Sequence, residues 1–104
     1  MNKKLDTLNE LDPAGNVTDR VRHYFFCPGC KSPHAVYSKG TGVPNWGYNG
    51  DEIEPSFTPS IRVQWGDENG PQLCHSYVTN GWIQFLNDCT HELKGQHVKL
   101  PDWE

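Results

Sequence analysis

Four cysteines constrain the fold of this 104-residue chain more strongly than any other feature of its sequence. Cys27 and Cys30 flank a Pro-Gly pair in a Cys-x-x-Cys turn, whereas Cys74 and Cys89 lie far along the chain. Two thiolates in such a turn can bind one side of a tetrahedral zinc ion, and ligands from elsewhere must complete the site. Because a domain of this size has a thin hydrophobic core, a bound metal would add stability that packing alone does not supply.

An Asn-Gly pair indicates where the remaining ligands come from. Asn80-Gly81 supplies both positive-φ residues of a type I′ turn, so residues 73–79 and 82–86 are predicted to form a β-hairpin. Because side chains alternate across a strand, Cys74 and its neighbour His75 then point to opposite faces. Cys89 would continue the face of Cys74 past the end of the strand. The predicted zinc ligands are therefore Cys27, Cys30, Cys74 and Cys89, with His75 and His91 as alternative ligands.

Strand-forming segments dominate the rest of the chain. The β-formers of residues 21–26 lead into the Cys-x-x-Cys turn, residues 34–38 return from it, and residues 61–65 precede a further turn. A short helical turn is predicted over residues 89–94, begun by Asp88. We therefore expect a mostly β fold, a small antiparallel sheet of zinc-ribbon-like hairpins stapled by zinc, with one short helical turn.

The first part of the chain lacks the strand pattern. Leu5, Leu8 and Leu11 have helical spacing and could form a short partner-binding helix, but Pro13 and Gly15 follow at once. Because chain termini usually fray, the segment is predicted to be loose. The sequence thus predicts a flexible N-terminal leader over residues 1–19 and a single zinc-binding β domain over residues 20–104.

Charge and hydropathy limit the partners and the compartment. The formal net charge is −4, and an acidic chain is poorly suited to binding the phosphates of nucleic acid. No apolar run approaches the roughly 18 residues needed to span a bilayer, and the N-terminus lacks the apolar core of a signal peptide. We therefore expect a cytoplasmic protein without a membrane association, in which the cysteines stay reduced and available to a metal.

A long loop over residues 39–60 carries several aromatic side chains. Loops of this length in compact domains are usually functional or pinned by their own side chains. One interpretation is a recognition surface for a protein partner, since Trp and Tyr are favoured at interface centres. The other is that the rings cover the small core. The candidate partner-binding residues are Trp46, Tyr48, Asn49 and Phe57.

Enzymatic functions are alternatives to a structural zinc site. A thioredoxin-like redox site needs its Cys-x-x-Cys at the start of a helix in a βαβ unit, which this sequence does not contain. A catalytic zinc would have three protein ligands and an open position, and His75, His91 and Glu92 could then serve a zinc-dependent hydrolase or nuclease. A thiolate nucleophile at Cys74 or Cys89, with His91 as its base, is a metal-free alternative. The four-cysteine set favours the structural, non-enzymatic interpretation.

Several motifs taken together resemble a group of small proteins of tailed phages and prophages, over residues 22–103. The motifs are Phe26-Cys-Pro-Gly-Cys30, Trp46-Gly-Tyr-Asn-Gly50, Pro55-Ser-Phe-Thr-Pro-Ser-Ile61, Cys74-His-Ser-Tyr-Val78 and Asn80-Gly-Trp-Ile-Gln-Phe-Leu-Asn-Asp-Cys-Thr-His91. The resemblance implies a phage-encoded accessory protein with a metal site, in which the Cys74-His75 pair and His91 belong to the family motif.

Such proteins often carry the label ammonia monooxygenase. A membrane copper oxygenase needs spanning helices and a His-rich copper site, and this sequence has neither. The expected function is therefore that of a phage-type accessory protein with a structural zinc site, which binds a host or phage protein in the host cytoplasm.

Overall fold

The fold consists of β-strands joined by turns. In the computed structural model, which describes residues 2–103, eight strands and no helix form the regular secondary structure. None of these residues therefore belongs to a helix that could cross a lipid bilayer. The strands are β1 (Leu5–Leu11), β2 (Val17–Cys27), β3 (Ser32–Lys39), β4 (Gly47–Tyr48), β5 (Phe57–Asp67), β6 (Gly70–Thr79), β7 (Trp82–Phe85) and β8 (His97–Lys99).

The strands form two antiparallel sheets, one in the order β1-β2-β3 and one in the order β4-β5-β6-β7-β8. A single hydrophobic core joins them, because Phe25 and Val36 of the first sheet cluster with Phe57, Val78 and Phe85 of the second. The mostly β, antiparallel fold that the sequence predicts is confirmed. In place of the predicted helical turn at residues 89–94 the chain forms two hydrogen-bonded turns. The N–H of Lys94 donates to the carbonyl of His91, and the N–H of Gln96 donates to the carbonyl of Leu93.

The hairpin of β6 and β7 has the register that its Asn-Gly turn predicts. Thr79 pairs with Trp82, and Asn80 and Gly81 both have positive φ. The alternation of side chains follows from this register: Cys74 is 1% exposed on the inner face, whereas Tyr77 is 46% exposed on the outer face. Hairpin geometry therefore separates neighbouring residues of β6 onto opposite faces of the sheet.

The hairpin of β5 and β6 contains the main irregularity of the second sheet. From Ile61 onward the pairing is regular, with Arg62 opposite His75, but the register shifts between Phe57 and Ile61. Such a bulge leaves residues without a direct partner and re-aims their side chains. Ser60 lies in this bulge, at the outer face of the sheet.

The N-terminal segment differs from the flexible leader that the sequence predicts. Strand β1 pairs with β2 from Leu5, opposite Phe25, to Leu11, opposite Val17. Leu5 is fully buried in the core, whereas Leu11 is 56% exposed. The helical spacing of the leucines therefore did not predict the structure of this segment. The edge of β2 supplies backbone hydrogen bonds to it, and this pairing depends on a distant segment rather than on local sequence.

Gly81 offers a test of the hairpin turn. Gly81 and Gly50 both have φ of +80°, but a Cβ at Gly81 would lie 3.3 Å from the Cα of Glu54, whereas a Cβ at Gly50 would meet open space. The left-handed backbone costs an L-residue about 1–2 kcal/mol at either position. We expect Gly81→Ala to lower the free energy of unfolding in urea by about 1 kcal/mol more than Gly50→Ala, because only the former is also crowded. Equal losses would show that the turn does not pack against residues 53–54.

Candidate functional site

Three sulfurs and one imidazole converge at one end of the core. Cys27 ends β2, Cys30 lies in the turn after it, Cys74 lies in β6, and His91 follows β7. Their ligand atoms all lie within 4.8 Å of one another. These residues could therefore hold a metal ion, and they join segments of both sheets.

The distances within this cluster fit a tetrahedral ion. The sulfurs of Cys27 and Cys74 are 3.8 Å apart, and the sulfur of Cys74 is 3.4 Å from Nε2 of His91. With metal–sulfur bonds of about 2.3 Å and metal–nitrogen bonds of about 2.0 Å, tetrahedral edges measure about 3.8 Å and 3.5 Å. Four protein ligands would close the coordination sphere and leave no position for a substrate.

The ionisation of the thiols also points to a cation. The hydrogen bond with Cys74 lowers the pKa of Cys27 to about 4, against the opposing effect of burial. Burial, with the charge of Cys27, raises the pKa of Cys30 to about 12, and the same hydrogen bond raises the pKa of Cys74. Thiolates packed this closely repel one another, so that their joint ionisation needs a positive ion between them.

Gly29 explains how His91 reaches the cluster. A side chain at Gly29 would collide with the imidazole of His91, so the turn must carry a glycine there. The ring packs edge-on against Phe85, 4.5 Å between centroids, and its Nδ1 accepts a hydrogen bond from the N–H of Leu93 at 3.2 Å. Coordination through Nε2 would place the ring proton on Nδ1, so the contact with Leu93 must shift when a metal binds.

Cys89, the fourth ligand favoured by the sequence, lies outside this cluster. Its sulfur accepts a hydrogen bond from the N–H of His75 at 3.3 Å and donates one to the carbonyl of the same residue at 3.2 Å. The chain leaves the sheet after Phe85, so Cys89 does not continue the face of Cys74. His91, one of the two alternative ligands, is the fourth member instead.

His75, the other alternative ligand, faces away from the cluster and joins a second group of polar side chains. Its Nε2 lies 2.9 Å from Oγ of Ser60, and its Nδ1 lies 3.1 Å from Oδ2 of Asp88. The imidazole thus bridges a hydroxyl and a carboxylate through its two different nitrogens. This is the connectivity of a Ser-His-Asp catalytic triad.

The triad residues come from three adjacent segments and remain open to solvent. Ser60 lies in the bulge of β5, His75 in β6, and Asp88 in the turn after β7. The side chains of His75 and Asp88 are 22% and 49% exposed, and Ser60 is half-buried. A substrate could therefore reach the hydroxyl of Ser60 from the outer face of the sheet.

The aromatic residues predicted to bind a partner mostly support the core and this triad. Phe57 is 1% exposed and stacks on Tyr48, while the indole N–H of Trp46 donates to the carbonyl of Ser60 at 3.2 Å. Asn49 orders the loop itself, because its side chain accepts from the N–H of Ser56 and donates to the carbonyl of Glu54. These contacts match the interpretation that the loop covers the core.

A second serine–histidine contact lies in the first sheet and differs in kind. Nε2 of His23 is 2.6 Å from Oγ of Ser38, and its Nδ1 is 2.8 Å from the hydroxyl of Thr7. His23 is only 1% exposed, burial lowers its pKa, and the hydroxyl of Thr7 takes the place at Nδ1 that a carboxylate takes in a catalytic triad. This group therefore differs from the outer-face group in its buried imidazole and in having a hydroxyl where that group has a carboxylate.

One comparison with known proteins identifies the family of the chain. A protein-family model described as bacterial ubiquitination-like system serine protease (BubE) matches residues 5–86, more than half of the chain. The chain belongs to the BubE family. Ser60 and His75 lie inside the matched range, while Asp88 and His91 follow its end. Neither the comparison with curated proteins nor that with solved structures found a match.

A serine protease family implies a nucleophilic serine, and the sequence alone did not identify Ser60 as a candidate. Ser60 stands in no recognised nucleophile motif, and only the pairing of β5 with β6 brings it beside His75. Of the residues suggested for a zinc-dependent hydrolase, His91 belongs to the metal cluster, and Glu92 lies on the surface, 3.9 Å from Lys31.

Substitution of the cysteines tests the ligand set. We expect Cys27→Ser to abolish binding of a tetrahedral metal ion and to unfold the domain, because a structural metal site supplies on the order of 10 kcal/mol. Cys89→Ser is the matched control: it should keep the metal and lose only about 1 kcal/mol from its contacts with His75. Cobalt(II) absorption and elemental analysis report the metal, and thermal melting reports the fold. Loss of the metal in Cys89→Ser would contradict the assigned set.

Proposed function

We propose that this protein is a serine hydrolase of the protease type, in which Ser60 is the nucleophile, His75 the general base and Asp88 the carboxylate that orients it. The observation that carries the proposal is the contact of His75 with Ser60 through Nε2 and with Asp88 through Nδ1. The membership of a family named for a serine protease supports the same reaction class.

The geometry supports acyl transfer through a serine ester. Oγ of Ser60 attacks the acyl carbon as its proton passes to Nε2 of His75, and His75 then returns that proton to the leaving amine. Water next attacks the ester, loses a proton to His75, and releases the carboxylic acid as Oγ of Ser60 regains the proton. Asp88 holds Nδ1–H and stabilises the imidazolium formed in each half of the reaction.

The metal cluster supports this reaction without taking part in it. We infer that Cys27, Cys30, Cys74 and His91 hold a structural zinc ion, because three thiolates and one imidazole are a common closed zinc set. Cys74 precedes His75 directly, and His91 lies three residues after Asp88. A shared ion at Cys74 and His91 would therefore fix the two segments that carry the base and its carboxylate.

The substrate class follows from the family description. A protease of a bacterial ubiquitination-like system acts on protein chains, so we propose a polypeptide substrate that binds over the outer face of the second sheet. This substrate would be the protein partner that the sequence predicts. Thiols that serve as metal ligands favour a reducing cytoplasm as the proposed compartment. The origin from a phage stays a prediction.

Labelling with a fluorophosphonate tests the triad directly, because the probe bonds covalently to an activated serine. We expect the protein to react at Ser60 alone, and Ser60→Ala to be inert. His75→Ala should react at least about 100-fold more slowly, since general-base catalysis typically contributes 10²–10⁴. The labelled residue is read by mass spectrometry of the digested protein.

Ser38→Ala is the matched control for this experiment. It removes a serine hydroxyl that also lies against Nε2 of a histidine, but that histidine is buried and a hydroxyl, not a carboxylate, lies at its Nδ1. We expect this variant to react at the rate of the unmodified protein. Labelling of Ser38, or equal labelling of the Ser60→Ala variant, would refute the proposed nucleophile.

A further inference from the structure

The residues around Ser60 and His75 form a four-cornered patch on the outer face of the second sheet. Arg62 pairs directly with His75 across β5 and β6, and it follows Ser60 by two residues on the same face. Tyr77 follows His75 by two residues and lies across from the bulge that holds Ser60. The Ser60–His75 hydrogen bond runs along one diagonal of this patch, and Arg62 and Tyr77 occupy the other corners.

Arg62 differs from the other arginines in having no acidic partner. Arg20 and Arg22 both form ion pairs with Glu10. Within residues 2–103, Arg62 takes part in no ion pair and no side-chain hydrogen bond, although its side chain is exposed. A guanidinium is therefore free beside the nucleophile of a chain whose net charge is −4.

We propose that Arg62 determines specificity by binding a carboxylate of the substrate close to the bond that is cleaved. Its planar fork of N–H donors matches a carboxylate in bidentate geometry, and the bond is charge-assisted. This inference rests on the proposed hydrolase function and adds to it the chemical class of the substrate.

Strand geometry sets how near that carboxylate lies. Residues two apart on a strand are separated by about 6.6 Å, and directly opposed side chains begin about 5 Å apart. Since an extended peptide advances about 3.3 Å per residue, Arg62 reaches a group one or two residues from the acyl carbon bound at Ser60. An acidic side chain and a free chain terminus would both present such a carboxylate.

Protection of Ser60 from fluorophosphonate labelling measures this preference without requiring turnover. The competitors are N-acetylated, alanine-based tetrapeptide amides that carry Gln or Glu at each position in turn. A further competitor has the sequence of a Gln peptide but ends in a free carboxylic acid instead of an amide. We expect a peptide with a suitably placed carboxylate to halve the labelling rate at an about tenfold lower concentration than its neutral counterpart. The Glu peptides and the free acid distinguish the two sources of the carboxylate.

Two variants assign the effect to Arg62. Arg62→Gln should remove the preference, so that a Glu peptide and its Gln counterpart protect Ser60 equally well relative to this variant's own rate without competitor. Lys39→Gln is the matched control, because it removes an exposed positive charge from the first sheet, and it should keep the preference. In Arg62→Glu, the neutral peptides should protect Ser60 best, because the introduced carboxylate repels a carboxylate of the peptide.

The outcomes separate this inference from the proposed function. Labelling of Ser60 with equal protection by Glu and Gln peptides would overturn the specificity role of Arg62 and leave the triad in place. If Ser60 does not react at all, the triad and this inference fall together.

Discussion

The convergence of three sulfurs and one imidazole is the interaction on which the rest of this structure depends. It draws the end of β2, the middle of β6 and the turn after β7 to one point, and it thereby joins the two sheets. The hydrophobic core also joins the sheets, but the core of a 104-residue chain is thin, and the cluster adds to it. The closed set of four protein ligands is suited to holding these segments together rather than to binding a substrate.

The same strand carries both functional groups because its neighbouring side chains point to opposite faces. Cys74 lies inward in the cluster of sulfurs and imidazole, and His75 lies outward beside Ser60 and Asp88. Cys89, which is not part of the metal cluster, bonds to the backbone of His75 on both its N–H and its carbonyl. One peptide unit, between Cys74 and His75, therefore links the inner cluster to the outer group.

The geometry of the β6–β7 hairpin made the positions of Cys74 and His75 predictable from the sequence. The Asn-Gly turn specified the register of β6 and β7, and the register placed Cys74 and His75 on opposite faces, as the structure confirms. The Cys-x-x-Cys turn and Cys74 were recognised as parts of one metal site. Cys89 could not be placed in the same way, because the strand pattern ends at Phe85 and the turn beyond it follows no fixed period.

Local sequence patterns did not predict that Ser60, His75 and Asp88 meet, because two of these residues lie in irregular segments. Ser60 lies in an irregular stretch of β5, and a bulge changes which side chains face each other without a clear mark in the sequence. Asp88 was expected to begin a helical turn, yet it orients His75. A hydroxyl, an imidazole and a carboxylate become a catalytic group only through their mutual distances.

By itself, the sequence determined the β class, the central hairpin and three of the four cluster residues, because these follow from backbone preferences and side-chain alternation over short spans. Only the tertiary structure decided that residues 5–11 form an edge strand, that His91 rather than Cys89 completes the cluster, and that Ser60, His75 and Asp88 meet. These three features depend on contacts between segments that are far apart in the chain. Packing and strand pairing between those segments supply the free energy, and no single segment contains both partners.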